Sequence, residues 1–328
     1  MSDEARARAE QLFAPVAERT LSWCFGQWYW GDAIAVDGLL AAERAGAVDL
    51  AGVVAAAEHW AAHAPETFDD ALAPGAAIAA LAADGRLSSS ARDRTALAFA
   101  RLPRTLEGIP LLRPQVPEWR HLVWVDSLYH LPVSVARLGE ADDAATIAQA
   151  TLEVLALPTG IAHIYDAGRR ENNGVAWTRG IGWALLGLLD LAAALPADDG
   201  DPFRAQAARW LDDLQRAQGP DGHWPTVLGD PAAGTETSTA AFFVAAALHP
   251  QAAEAEVDPA VLERAIAAVL GCIDADGTVG GVSADTHASW DPAAYRSPVH
   301  RPSPWGQGAA LRALEAIQNN APVPAPAP

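Results

Sequence analysis

Six times along the chain, a cluster of Gly, Trp or carboxylate residues leads straight into a helix-prone run of small apolar residues, and this repetition restricts the fold more than any other feature. The six stretches are "WYWGDAIAVDGLLAAERAG", "FDDALAPGAAIAALAADG", "WVDSLYHLPVSVARLG", "WTRGIGWALLGLLDLAAALP", "ETSTAAFFVAAALHP" and "SPWGQGAALRALEAI". Between them lie more polar amphipathic segments at 48–63, 87–101, 141–156, 202–217 and 258–272, and the N-terminal helix supplies another. A helix that is apolar nearly all round belongs inside a bundle, and one with a charged face belongs outside. The alternation therefore predicts an all-α (α/α)6 barrel, an inner ring of six helices wrapped by an outer ring. In that arrangement the clusters gather at one end, where helix N-termini and aromatic loops line a cleft. The competing arrangement is an irregular helical bundle in which the same clusters are caps and packing anchors.

Composition agrees with helix and narrows the partners. Hydrophobic residues make up 51 % of the sequence, dominated by alanine, leucine and valine. No composition shift divides the 328 residues, so one barrel domain is expected over 1–320, with "APVPAPAP" at 321–328 as a disordered tail. A formal charge of -19, from 22 Lys+Arg against 41 Asp+Glu, opposes binding to nucleic acid or to an anionic membrane. The longest apolar run is interrupted by Asp190 and ended by Pro196, which is short for a membrane span. The N-terminal segment lacks the basic, apolar and small-residue order of a secretion signal. Cys24 and Cys272 stand far apart without metal-ligand spacing, which fits a cytoplasmic chain with no disulfide framework and no zinc site.

Asp126 lies in "HLVWVDSLYHLP", between Trp124 and Tyr129, where desolvating a lone charge is costly, so it is either paired or kept for its protonation state. Asp70, in "TFDDALAPG", opens the second inner helix as Asp126 opens the third. A carboxylate in a helix's first turn is ordinarily a cap. Two carboxylates converging on an aromatic cavity have a further use, because their pKa values can be driven apart into an acid and a base. Arg179, in "WTRGIGW" beside Trp177, Trp183 and two glycines, reads either as a bidentate clamp for a carboxylate substrate or as a partner for carbonyls and a helix acid. His163, in "HIYD", reads as a hydrogen-bonded histidine near Tyr165 and Asp166; no second histidine has the spacing for a metal site. Most of the 12 Trp are packing residues, but those at helix entrances, Trp30 among Trp28, Trp224 and Trp305, suit stacking against sugar rings. Signatures for dinucleotide, P-loop, α/β-hydrolase and zincin chemistry do not occur.

At these motifs the chain resembles the unsaturated uronyl hydrolases of glycoside hydrolase families 105 and 88, from "WYWGDAIAVDGLL" to "SPWGQGAALRALEA". "LPRTLEGIP" followed by "WVDSLYHLP" looks like the families' "pRt.eGgf" and "W.DgLyMa.P", and "HIYD" with "WTRGIGWALLGLLD" looks like "H.wD" with "WaRGnGW". The resemblance implies the (α/α)6 barrel and a small oligosaccharide substrate carrying a 4,5-unsaturated uronic acid. It implies no metal or organic cofactor. It puts Asp126 on the catalytic aspartate, Asp70 on the second carboxylate, and His163, Trp177 and Arg179 on positions that hold the unsaturated sugar, with Trp124 flanking the acid. The implied reaction protonates C4, adds water at C5, and lets the hemiketal open into a keto acid and the released sugar. A monomer or homodimer is expected.

The chain departs from the pattern where "GIPLLR" stands for "GGFWHK", which puts Leu112 at the histidine position and Arg113 at the lysine, and where His130 replaces the methionine of "DgLyMa". Changed polar groups in a pocket change which ligand fits, so Arg113 and His130 are expected to help set the sugar or leaving group. Positive charge from Arg179 and Arg113 has to offset the acidic surface. Alternative functions keep the barrel and the carboxylates but act on another glycoside or a non-uronate ligand, or bind sugar without turnover.

Overall fold

The computed structural model describes residues 1–23, 29–63, 72–284 and 286–320. Twelve α-helices occur among them: α1 (Asp3–Leu21), α2 (Trp30–Arg44), α3 (Ala51–His63), α4 (Gly75–Ala83), α5 (Ser89–Ala100), α6 (Ser127–Arg137), α7 (Ala141–Val154), α8 (Thr178–Ala194), α9 (Ala197–Ala217), α10 (Ser238–Ala247), α11 (Pro259–Gly271) and α12 (Pro304–Asn319). The even-numbered helices pack in sequence, α2 on α4, α4 on α6, and so on to α12, which returns to α2 and closes the ring. The odd-numbered helices lie outside: α7 against α6 and α8, α9 against α8 and α10, and α1 against α12, α2 and α11. This closure is the (α/α)6 barrel that the alternation predicts, and it rules out an irregular bundle.

Composition explains which helix goes where. In α8 every residue from Thr178 to Ala192 is buried, whereas α9 buries only a stripe that includes Phe203, Trp210 and Leu214. Small residues let the inner helices approach backbone to backbone. A Cβ on Gly187 would lie 2.4 Å from the Leu128 carbonyl oxygen of α6, and one on Gly308 would lie 2.5 Å from the Ile34 backbone of α2. Helix α9 starts at Ala197, earlier than its polar pattern suggests, and carries Pro202 inside it. No helix among the described residues is long and apolar enough to cross a membrane.

Short strands join the helices at the end where the inner helices begin. Strands β1 (Leu122–Trp124), β2 (Ile164–Asp166) and β3 (Glu171–Asn172) form an antiparallel sheet in that order, with Trp124 opposite Ile164. A second ladder pairs β4 (Trp224–Pro225) with β5 (Thr235–Glu236). The other end of the barrel holds the C-terminal ends of the inner helices and a cavity of about 660 Å³ lined by Asp37, Arg137, Asp190, His249 and Arg312. Arg312 donates to both Asp190 oxygens at 3.1 and 3.2 Å, and Tyr129 donates to Asp37. Burial acts to raise the Asp190 pKa, but Arg312, His249 and Arg137 outweigh it and hold that carboxyl well below the usual range. Basic side chains here also offset the partial negative charge of the helix C-termini.

Candidate active site

The sheet delivers Asp126 to the barrel mouth. Strand β1 runs out at Trp124, the Val125 amide donates to the His163 carbonyl at 2.9 Å, and Asp126 follows as the residue before α6. It is 9 % exposed, and its side chain makes no capping hydrogen bond to the helix it precedes. The structural role that the sequence leaves open for it, an N-cap, is therefore not the one it plays. One turn along, His130 shares its face of α6.

An aromatic chamber surrounds this position. The His163 ring packs on Trp177 at 4.4 Å, Trp124 at 5.3 Å and Tyr295 at 5.5 Å between centroids. His130 lies 5.2 Å from Trp183, and Trp30 lies 4.5 Å from Trp305 and 6.3 Å from Trp183. Arg113 stacks its guanidinium over Trp124 at 4.5 Å and Trp119 at 4.9 Å. Burial, assisted by Arg113, pushes His130 down to about 3; burial, with Arg179 and Arg113, does the same to His163. Both imidazoles are therefore neutral near pH 7. Burial foremost pushes the Tyr295 phenol up to about 12, and the charge of Asp126 contributes, which places that carboxylate within its electrostatic reach.

Among the described residues, several polar atoms of the chamber are buried without a hydrogen-bond partner: Nε1 of Trp124, Trp177 and Trp183, Nε2 of His163 and both ring nitrogens of His130. Native interiors rarely leave such groups unmet, because each orphaned donor costs about 1–3 kcal/mol. Their collection around one chamber points to a polar ligand. Alongside, a cleft of about 450 Å³ is lined by Trp177, Thr226, Ser283, Thr286, His287 and Tyr295, a size that suits a small molecule. The larger cavity at the opposite end has no comparable aromatic wall among the described residues, and the charges of Asp190 and Arg312 there are matched against each other.

Arg179 is brought to this region but faces inward. Its side chain is 0 % exposed; Nη1 lies 3.3 Å from Glu236 Oε2 and donates to Ser283 O at 2.7 Å, while Nη2 donates to Ala284 O at 3.2 Å and Thr286 Oγ1 at 3.0 Å. Of its two readings from sequence, the partner of carbonyls and an acid is the one these contacts describe. Through them Arg179 ties α8 to the 283–286 segment that walls the cleft. His163 is hydrogen-bonded, as the sequence reading has it, and the partner is Tyr295, which its Nδ1 meets at 2.7 Å; Tyr165 bonds Glu107, and Asp166 closes a turn at Gly168. Asp70 lies outside the described residues, as do Trp28 and Cys24, so the convergence of the two aspartates is not part of this geometry. Tyr295, Asn173, Glu236 and Ser283 also stand at this site, and their roles are not evident from sequence. Only Glu236, a carboxylate heading an apolar helix, carried a visible signal.

The relatives of the chain agree with this picture in part of its length. The family model for Glycosyl Hydrolase Family 88 matches residues 161–319. Over that stretch, just under half of the chain, the sequence is similar to the family 88 glycosyl hydrolases. That family 88 segment holds His163, Trp177, Arg179 and Tyr295, while Asp126 precedes it. Unsaturated rhamnogalacturonyl hydrolase YesR of Bacillus subtilis (strain 168) is 31 % identical over 164 residues, which is 46 % of this chain and 44 % of YesR. The matched stretch thus spans less than half of that curated relative. A possible member of family 105 from Salmonella enterica subsp. enterica serovar Paratyphi A superposes with a TM-score of 0.85 at 19 % identity, covering 98 % of this chain and 95 % of the other. The unsaturated glucuronyl hydrolase of Bacillus sp. GL1 superposes with a TM-score of 0.69 at 18 % identity, covering 96 % of each. At such identities the likeness shows a shared barrel.

Proposed function

We propose that this chain is a glycoside hydrolase that releases the terminal 4,5-unsaturated uronic acid from short oligosaccharides by hydrating its C4=C5 bond. The observation that carries the reading is the placing of the Asp126 carboxyl, just before α6, at the edge of an aromatic chamber whose N–H donors are in several cases unmet among the described residues. YesR and the Bacillus sp. GL1 enzyme, which act on unsaturated rhamnogalacturonyl and glucuronyl substrates by name, support the substrate class.

In this reading Asp126 is the general acid and base, with Asp70 assisting. The C4=C5 electron pair takes the Asp126 proton at C4, and the ring oxygen shares the positive charge left on C5. Water then adds at C5 and yields its proton to the Asp126 carboxylate, which restores the acid. The resulting hemiketal opens, and the sugar leaves. An acid near neutral pH has to hold its proton, and surroundings poor in water favour the neutral form of a carboxyl. Trp30, Trp124 and Trp177 offer faces for the sugar, and His163 and His130 line the chamber as neutral groups. Arg113, stacked on Trp124, supplies positive charge nearby, and Arg179 lies against Glu236. The proposal extends to one catalytic domain over 1–320, acting in the cytoplasm as a monomer or homodimer.

The test is loss of the ultraviolet absorbance of the unsaturated uronate across a panel of lyase-generated disaccharides. Asp126→Asn is expected to lower kcat about 10²- to 10⁴-fold with the fold retained. An inert wild-type chain across the whole panel overturns the proposal, and turnover of saturated glycosides instead would move the substrate class.

A further inference from the structure

The donors and acceptors around Tyr295 can be counted, and the count decides which nitrogen of His163 carries the proton. Asn173 Oδ1 accepts from the backbone amides of Val175 at 3.2 Å and Ile164 at 3.4 Å, which fixes the amide orientation. Its Nδ2 therefore donates, to Ser289 O at 2.8 Å and to the Tyr295 hydroxyl at 3.2 Å. The Ser289 amide donates to the same hydroxyl at 3.2 Å. A phenol oxygen has two lone pairs and one proton, so both acceptor positions are filled and only the O–H remains.

The nearest acceptor for that proton is His163 Nδ1 at 2.7 Å. The other candidate, Ser289 O, is 3.4 Å away and already accepts from Asn173. A proton on Nδ1 would instead aim three donors at two lone pairs. We infer that Tyr295, oriented by Asn173 and Ser289, is a positioning residue that locks His163 in the tautomer protonated at Nε2, so the ring presents a fixed N–H donor to an oxygen of the bound ligand.

The donor so created is one of the unmet ones. His163 is 1 % exposed, and its Nε2 has no hydrogen-bond partner among the described residues. Trp124 and Trp177, packed on either side of the ring, bring two more N–H groups in the same condition. A wall of neutral N–H donors selects an acceptor-rich group, here the uronate carboxylate. This last step rests on the function proposed above, whereas the tautomer stands on hydrogen-bond geometry alone.

Long-range ¹H–¹⁵N correlation on the uniformly ¹⁵N-labelled full chain reads the tautomer directly, with His163→Gln identifying the resonance. The expected wild-type pattern is an unprotonated Nδ1 and a protonated Nε2 that does not titrate near neutral pH. A protonated Nδ1 overturns the inference without need of a folded variant. In Tyr295→Phe the pattern should collapse toward a mixture of tautomers, and KM for an unsaturated disaccharide should rise roughly tenfold while kcat changes less than about threefold. An unchanged spectrum in that variant also overturns it. A wild-type chain with the expected tautomer but no turnover upholds the lock and removes the hydrolase reading.

Discussion

At the scale of single residues, His130 carries a clear pH signature. Its folded pKa of about 3 lies below the ordinary 6.5, because burial and then Arg113 oppose its charge. Between those two values the unfolded chain binds the proton and the folded chain does not, so stability rises with pH across the window. The contribution is complete above the unfolded pKa and is lost as pH falls toward the folded one. Each such histidine adds up to about 1.4 kcal/mol per pH unit, and His163 follows the same rule. Urea denaturation at pH 7 and 5 should show this slope. His130→Met, which removes two buried unmet nitrogens, should flatten it and stabilise the chain at pH 5; an unaltered slope would contradict the assignment. Asp126 was conspicuous in the sequence because a carboxylate amid apolar neighbours needs a reason. Tyr295 was not, because it sits in an aperiodic, proline-rich segment and meets His163 132 positions earlier in the chain.

At the scale of elements, the inner and outer rings should answer differently to the same substitution. Gly308 of α12 has no room for a methyl against the α2 backbone, whereas a Cβ on Gly52 of α3 would meet nothing within 4 Å. Gly308→Ala is expected to cost about 1–3 kcal/mol by overpacking, and Gly52→Ala to stabilise by about 0.5–1 kcal/mol through helix propensity. Denaturation midpoints of the two variants check both. The buried Asp190–Arg312 pair gives a second element-scale test. Arg312→Leu leaves Asp190 charged between α8 and α12 and should cost about 3–5 kcal/mol. Helix order was readable because each helix spans several periods of its hydrophobic pattern. The strands were not, since β1 to β5 have two or three residues each and arise from tertiary pairing.

At the scale of the whole molecule, a net charge of -19 acts against an anionic substrate approaching the mouth. Salt should weaken that repulsion, since the screening length falls from about 30 Å at 0.01 M to about 8 Å at 0.15 M. Short-range attraction from Arg113, in the function proposed above, would be screened less. KM for an unsaturated disaccharide is thus expected to fall over this range while kcat holds; a rising KM would mean that local positive charge governs capture. Alternation of apolar and amphipathic helices was enough to foresee the ring, but no local pattern foretold which loops would cross its mouth. The seam between α2 and α12 has a consequence of its own. A ribosome making this chain exposes residues 30–44 long before residues 304–319 exist to cover them. Circle completion is thus necessarily a late, non-local event, and the apolar flank of α2 needs shelter during synthesis.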